Sequence, residues 1–179
     1  MLIEPLPRML DVRKAASRGA TISGSLRPND LQRFRSLLSD DNGVIESQLK
    51  FYRDDENRYL VHLEAQAHVN VVCQRCLEAM PLTLNCDNIL AVLWNDEEAR
   101  HLPRHLDPVI AASEDYCLWD MVEEELILAM PPFNYHDTEQ CNEFLVKINA
   151  DQGKTEPVVI RSKPNPFDVL AQLKPGTKN

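Results

Sequence analysis

The chain has 179 residues, 44% hydrophobic and 26% charged, the balance of a folded domain and unlike disordered, collagen-like or membrane proteins. That length allows one domain, with or without a tail, whose core needs neither disulfides nor metal to exist. Nineteen Lys and Arg against 28 Asp and Glu give a net charge of −9, which on average repels a phosphate backbone.

In chain order, Asp11 is placed to cap a helix that runs to about Arg18 and stops at Gly19. Thr21–Leu26 predicts a short strand. Pro28-Asn29-Asp30 opens a second helix with Leu31, Phe34, Leu37 and Leu38 on one stripe. From Val44 the apolar period becomes two, with Ile45, Leu49 and Phe51 on one face and Glu46, Gln48 and Lys50 on the other. After the polar turn Asp54-Asp55-Glu56-Asn57, apolar residues hold every second position from Tyr59 to Val71. A strand of that length, about 40 Å, predicts a bulge near Ala65 to Ala67. A third strand follows Pro81 as far as Leu93. The short connections make the three an antiparallel meander, since parallel pairing would need long crossovers.

Asp107–Ile110 predicts a brief edge strand. Leu118 to Met130 predicts a helix with Leu118, Met121, Val122 and Leu126 on one stripe, stopped by Pro131-Pro132. Glu123, Glu124 and Glu125 are consecutive, fan around that helix, and read as solvated surface. The expected fold is therefore α+β: an antiparallel meander or partly closed sheet packed with two or three helices, in a single domain over 1–145. A polar linker over 146–164 follows, and then a short C-terminal helix and tail over 165–179. In that last segment Asn165 serves as N-cap, Pro166 opens the helix, and Phe167 and Leu170 form an apolar side. A helix so short must dock on this domain or on a partner.

Glu4, Pro5, Pro7 and Arg8 interrupt the stretch where an export signal would be continuous and apolar, so the chain is expected in the cytoplasm. Five cysteines, an odd count, then favour free thiols or metal ligation over disulfides. Cys73-Gln74-Arg75-Cys76 falls at the end of the long strand, the setting of a zinc knuckle, and His136 with Cys141 would complete a Cys₃His set for structural zinc. Reduced thiols that simply pack are the competing reading. A thioredoxin-like role is disfavoured, because the flanks of the Cys-x-x-Cys turn are strands and not a helix start. Cys86 and Cys117 lie in apolar patterns and read as small core residues. His62 and His68 share the polar face of the long strand and read as surface. Walker, G-x-G-x-x-G, H-E-x-x-H and G-x-S-x-G motifs are absent, and no aromatic run points to a base-stacking platform.

Charge is uneven along the chain. Residues 1–38 hold seven basic against three acidic side chains, whereas residues 86–145 hold fourteen acidic against two basic. The uneven charge reads first as solvated surface; beyond that, the acidic part would exclude RNA or attract a basic protein, and the Arg-rich start suits RNA.

Four separated blocks carry a resemblance: Val72-Cys73-Gln74-Arg75-Cys76, Met121 through Pro131, His136 through Cys141, and Lys163 through Leu170. In order and spacing they are similar to the bacterial YceD family, the large ribosomal RNA subunit accumulation proteins. The resemblance implies a cytoplasmic factor for 23S rRNA accumulation or processing and large-subunit biogenesis, with no assigned reaction. It also implies four cysteines where this chain has Cys73, Cys76, His136 and Cys141, so the histidine departs from the family pattern. The expected mode of action is binding of a ribosomal protein or large-subunit assembly intermediate through the acidic face and the C-terminal helix (Asn165, Pro166, Phe167, Leu170). Direct rRNA binding by the N-terminal arginines and a zinc-knuckle module are the alternatives.

Overall fold

The alternation from Tyr59 onward becomes the central strand of a sheet. A computed structural model describes residues 4–138, 140–142 and 147. The chain divides into two units, Met1–Cys141 and Asn142–Asn179. The predicted linker, apart from Lys147, and the predicted C-terminal helix with Asn165, Pro166, Phe167 and Leu170 lie outside the described residues. The first unit runs β1 (Met9–Asp11), α1 (Val12–Arg18), β2 (Thr21–Leu26), α2 (Gln32–Arg35), β3 (Gly43–Arg53), β4 (Tyr59–Val72), β5 (Ala79–Leu93), α3 (Asp96–Ala99), β6 (Asp107–Ile110), β7 (Asp115–Cys117) and α4 (Leu118–Ala129). Among the described residues no helix is long and apolar enough to cross a membrane.

The main sheet has the order β2-β3-β4-β5-β6, and β1 pairs with β7 in a second, two-stranded sheet. As their short connections require, β3, β4 and β5 form an antiparallel meander, and β2 joins it antiparallel to β3 across residues 27–42. Only β6 runs parallel to its neighbour, with Leu90 opposite Asp107 and Leu93 opposite Ile110. The chain between β5 and β6, which includes α3, supplies the crossover that a parallel pair needs. The sheet stays open, with β2 and β6 at its edges.

The bulge predicted near Ala65 to Ala67 does not form. Pairing is uninterrupted from Gly43↔Val69 to Arg53↔Tyr59 on one side of β4 and from Leu60↔Ala91 to Val72↔Ala79 on the other. The full length is accommodated because both ends of the strand find separate packing. At its start, Leu60 joins Ala91, Leu93 and Leu106 in a small cluster of its own. At its far end the chain enters the Cys73 turn.

Along the middle, Val61, Leu63, Ala65, Ala67, Val69 and Val71 enter the main core with Ile45, Leu49, Phe51, Leu84 and Leu90. The helices close this face: α1 lies on β3 and β4, and α4 on β4 and β5. Asp11 caps α1 through the Lys14 backbone N–H at 2.8 Å. Gly19 ends it in the left-handed conformation, φ 64°. Gly24 answers a different constraint, because a Cβ there would stand 2.5 Å from the Leu6 Cα as residues 4–6 bond along β2.

Two expectations are corrected here. The helix predicted from Pro28 to Leu38 is a 3-10 turn, Pro28–Asp30, followed by the single-turn α2. Leu31 separates the two at φ −118°, ψ 86°, and both Leu31 and Phe34 are almost completely buried. Nor are the three glutamates of α4 a solvated surface: Glu123 and Glu125 are 7% and 5% exposed. The Glu123 carboxylate accepts the backbone N–H groups of Arg33 and Phe34 at 2.7 and 3.0 Å, so one helix caps the start of another. Glu125 accepts from the Asn88 amide, and only Glu124 faces water, paired with Arg33.

This cap sets the two glutamates apart energetically. Glu123→Ala leaves two backbone donors unpaired and should destabilise the fold by about 1–3 kcal/mol, whereas Glu124→Ala should cost less than about 1 kcal/mol. Urea denaturation of both variants measures the difference.

Candidate metal centre and charged surfaces

The hairpin joining β4 to β5 closes through a tight turn in which Leu77 N–H reaches the Cys73 carbonyl at 2.8 Å and Cys73 N–H reaches the Glu78 carbonyl at 2.9 Å. Leu77 takes a left-handed conformation, φ 64°, to allow it. The turn brings both cysteine sulfurs and the Gln74 N–H against the segment that follows α4. Pro131-Pro132 end that helix and send the chain back along the hairpin, where the Gln74 N–H donates to the Asn134 carbonyl at 2.8 Å and Arg75 donates to the Thr138 carbonyl at 2.8 Å. The Arg75 guanidinium also covers the Tyr135 ring, 5.1 Å from its centroid.

These contacts bring together the four residues predicted as a set. Cys73, Cys76, His136 and Cys141 place their donor atoms within 4.8 Å of one another. Cys73 Sγ lies 3.9 Å from Cys141 Sγ, and Cys76 Sγ lies 3.4 Å from His136 Nδ1. Tetrahedral zinc with its usual bond lengths requires edges of about 3.8 Å between sulfurs and about 3.6 Å between sulfur and nitrogen. The residues therefore fit a structural zinc ion in both spacing and donor type. Cys73 is fully buried, and the other three are half-buried.

The thiols are electrostatically unequal. Burial works against the Cys73 anion, but backbone N–H donors of Cys76, His136 and Arg75 and the Cys76 thiol outweigh it, and hold Cys73 down at about 5. For Cys76 the Glu78 N–H favours the anion, but burial and the Cys73 and Cys141 sulfurs win and push it above the usual thiol range. The cluster thus carries a thiolate, the form that ligates metal. Cys86 is a core residue as predicted, with its thiol pushed up to about 11 by burial. Cys117 is half-buried at the N-terminus of α4.

Four of the seven basic side chains in residues 1–38 are engaged within the fold. Arg13 is 9% exposed and donates to the Ala111 carbonyl at 2.5 Å and to that of Leu93 at 3.3 Å, with its guanidinium on the Trp94 ring. Arg33 pairs with Glu124, Arg35 with Asp41, and Arg8 stacks on Trp119. On the wet face of the sheet, His62 Nε2 lies 2.7 Å from Asp87 Oδ1, and Glu64 joins them within reach of one point. Alternation placed His62 on that face, but only strand register brings Asp87 and Glu64 to it. Phe133 and Tyr135 are exposed, near-parallel rings with centroids 6.5 Å apart. Their one sequence signal is the spacing of two in an extended segment.

Comparison with known proteins bears on the same stretches. The profile of the family described as "Large ribosomal RNA subunit accumulation protein YceD" matches residues 61–174, which include all four members of the cluster. A protein of that name from Haemophilus influenzae is 31% identical over 170 residues, which cover 94% of this chain and 96% of its own. No solved structure matches.

The depressed Cys73 thiol has a consequence for metal-free protein. Its folded pKa lies below the unfolded value, so its contribution to stability is complete above about pH 9 and is lost as pH falls toward 5. Thiolate absorbance near 240 nm should titrate with a midpoint near 5, and Cys73→Ser should remove both that step and its share of the pH dependence of thermal unfolding.

Proposed function

The chain belongs to the YceD family of large ribosomal RNA subunit accumulation proteins, and from that premise we propose that it supports 23S rRNA accumulation and large-subunit biogenesis by binding, with no bond-making chemistry of its own. The observation that carries this reading is the near full-length likeness to a protein named for that role. The net −12 of residues 86–145 supports a basic protein as the partner, either a ribosomal protein or an assembly intermediate that displays one. The C-terminal segment with Asn165, Pro166, Phe167 and Leu170 supplies a second contact. Direct rRNA binding through the N-terminal arginines is the weaker reading, because Arg8, Arg13, Arg33 and Arg35 are already engaged within the fold. Such a role is one for a cytoplasmic protein.

The proposal includes a structural zinc ion on Cys73, Cys76, His136 and Cys141. Bound there, it would supply no reaction: it would fix the β4–β5 hairpin against the segment following α4 and neutralise the thiolates. His136 in place of a cysteine keeps the set within what zinc accepts.

Purified protein should contain about one zinc per chain. Chelation should lower the melting midpoint by roughly 5 °C or more, Cys73→Ser should abolish metal retention, and His136→Cys should preserve it. Elemental analysis with thermal melts decides this. For the binding reading, a chain ending at Ile160 should co-sediment with large-subunit precursors at least about tenfold less than the full chain; undiminished binding would remove the C-terminal segment from the account.

A further inference from the structure

Between β6 and α4, at the open edge of the sheet, lies a groove of about 660 Å³. Its carboxylates come from Asp107 on β6 and from Asp120, Glu124 and Glu125 on α4. Glu123 also borders it, but that side chain is occupied by the Arg33 and Phe34 N–H groups. Arg33 is the one cation in the lining and is spent on Glu124. The groove therefore carries an uncompensated negative charge.

Glu125 makes the imbalance specific. Its side chain is 95% buried by accessible surface, at 5% exposure, and one of its oxygens takes the Asn88 amide while the other has no hydrogen bond among the described residues. Burial, and next the Asp107 and Glu124 charges, push its carboxyl above the usual range, opposed only by Asn88. The second oxygen is not among the buried unpaired polar atoms, so it meets solvent and is accessible to an incoming cation, which the two like-charged neighbours favour.

The strand beside it is also incomplete. Among the described residues β6 pairs only with β5, and Ala111 N–H donates inward to the Leu93 carbonyl at 2.8 Å. Parallel pairing alternates, so the main-chain groups of Val109 share that inward direction and those of Pro108 and Ile110 turn outward. By the same alternation the Ile110 N–H points away from β5. Pro108 has no N–H, so this short edge offers an incoming strand the Pro108 and Ile110 carbonyls and the single Ile110 N–H. Apolar surface completes the lining: Val109 is half-buried, and Leu128 is 71% exposed among the acids.

We infer that this groove is the docking site for an extended protein segment in which Lys or Arg alternates with apolar residues. The main chain of the segment continues the sheet past β6, its cations meet Glu125, Asp107 and Asp120, and its apolar side chains cover Val109 and Leu128. Phosphate is excluded as an occupant by the same carboxylates. The inference rests on the binding role proposed above and gives that role a surface and a partner chemistry.

The test uses full-length protein carrying Asp107→Lys and Asp120→Lys, both at exposed positions, beside a control carrying Glu46→Lys and Glu64→Lys on the wet face of the sheet. Two readouts are needed: anisotropy of a labelled (Lys-Val)₄ peptide, and co-sedimentation with large-subunit precursors. The groove variant should weaken both by about tenfold or more and the control by less than about twofold. The gentler pair Asp107→Asn and Asp120→Asn should move both in the same direction, which guards against misfolding of the reversed variant. Peptide binding unchanged in the groove variants, or a 23S rRNA fragment competing the peptide from the wild type, would overturn the inference. Failure of the wild type to co-sediment, with peptide binding intact and lost in the groove variant, would overturn the ribosomal role while sustaining the groove.

Discussion

Antiparallel pairing of β4 on both of its sides is the constraint from which the rest of the molecule follows. Fourteen residues in one unbroken register fix which side chains go inward and which meet water. They also carry the chain to the hairpin turn where Cys73 and Cys76 meet the segment returning from α4. A one-residue slip would turn Val61, Leu63 and Val69 to solvent and bury His62, Glu64 and His68.

The acidic helix α4 is where fold and function meet. Its apolar stripe closes the core, yet two of its three consecutive glutamates serve purposes that a surface position could not. Glu123 satisfies the backbone of α2, whose single turn has too few internal hydrogen bonds to persist alone. Glu125 lies against Asn88 of β5 with one oxygen open to the groove. The charge of this helix is therefore partly spent on structure and partly left facing the groove.

Strands were legible in the sequence because period-two alternation reports the two faces of a sheet directly, and Asp11 and Gly19 marked α1 by local chemistry alone. What could not be read depends on contacts distant in sequence. Leu31 and Phe34 suggest one continuous helix until the core draws both inward, and the burial of Glu123 is decided by backbone donors some ninety residues away. The parallel sense of β6 follows from the crossover and not from its four residues. At the candidate metal centre, the Cys-x-x-Cys turn is a local signal, whereas the approach of His136 and Cys141 to it depends on the path of the chain after Pro131-Pro132.

The account holds that this protein acts on ribosome assembly by what it grips, using a hairpin end suited to metal and an acidic groove beside an open strand. The most direct measurement incubates the purified, zinc-loaded chain with a 23S rRNA precursor transcript and follows transcript length and nucleoside composition over many hours. The account predicts RNA unchanged in both respects; cleavage or modification that persists through repurification and disappears in Cys73→Ser would contradict it.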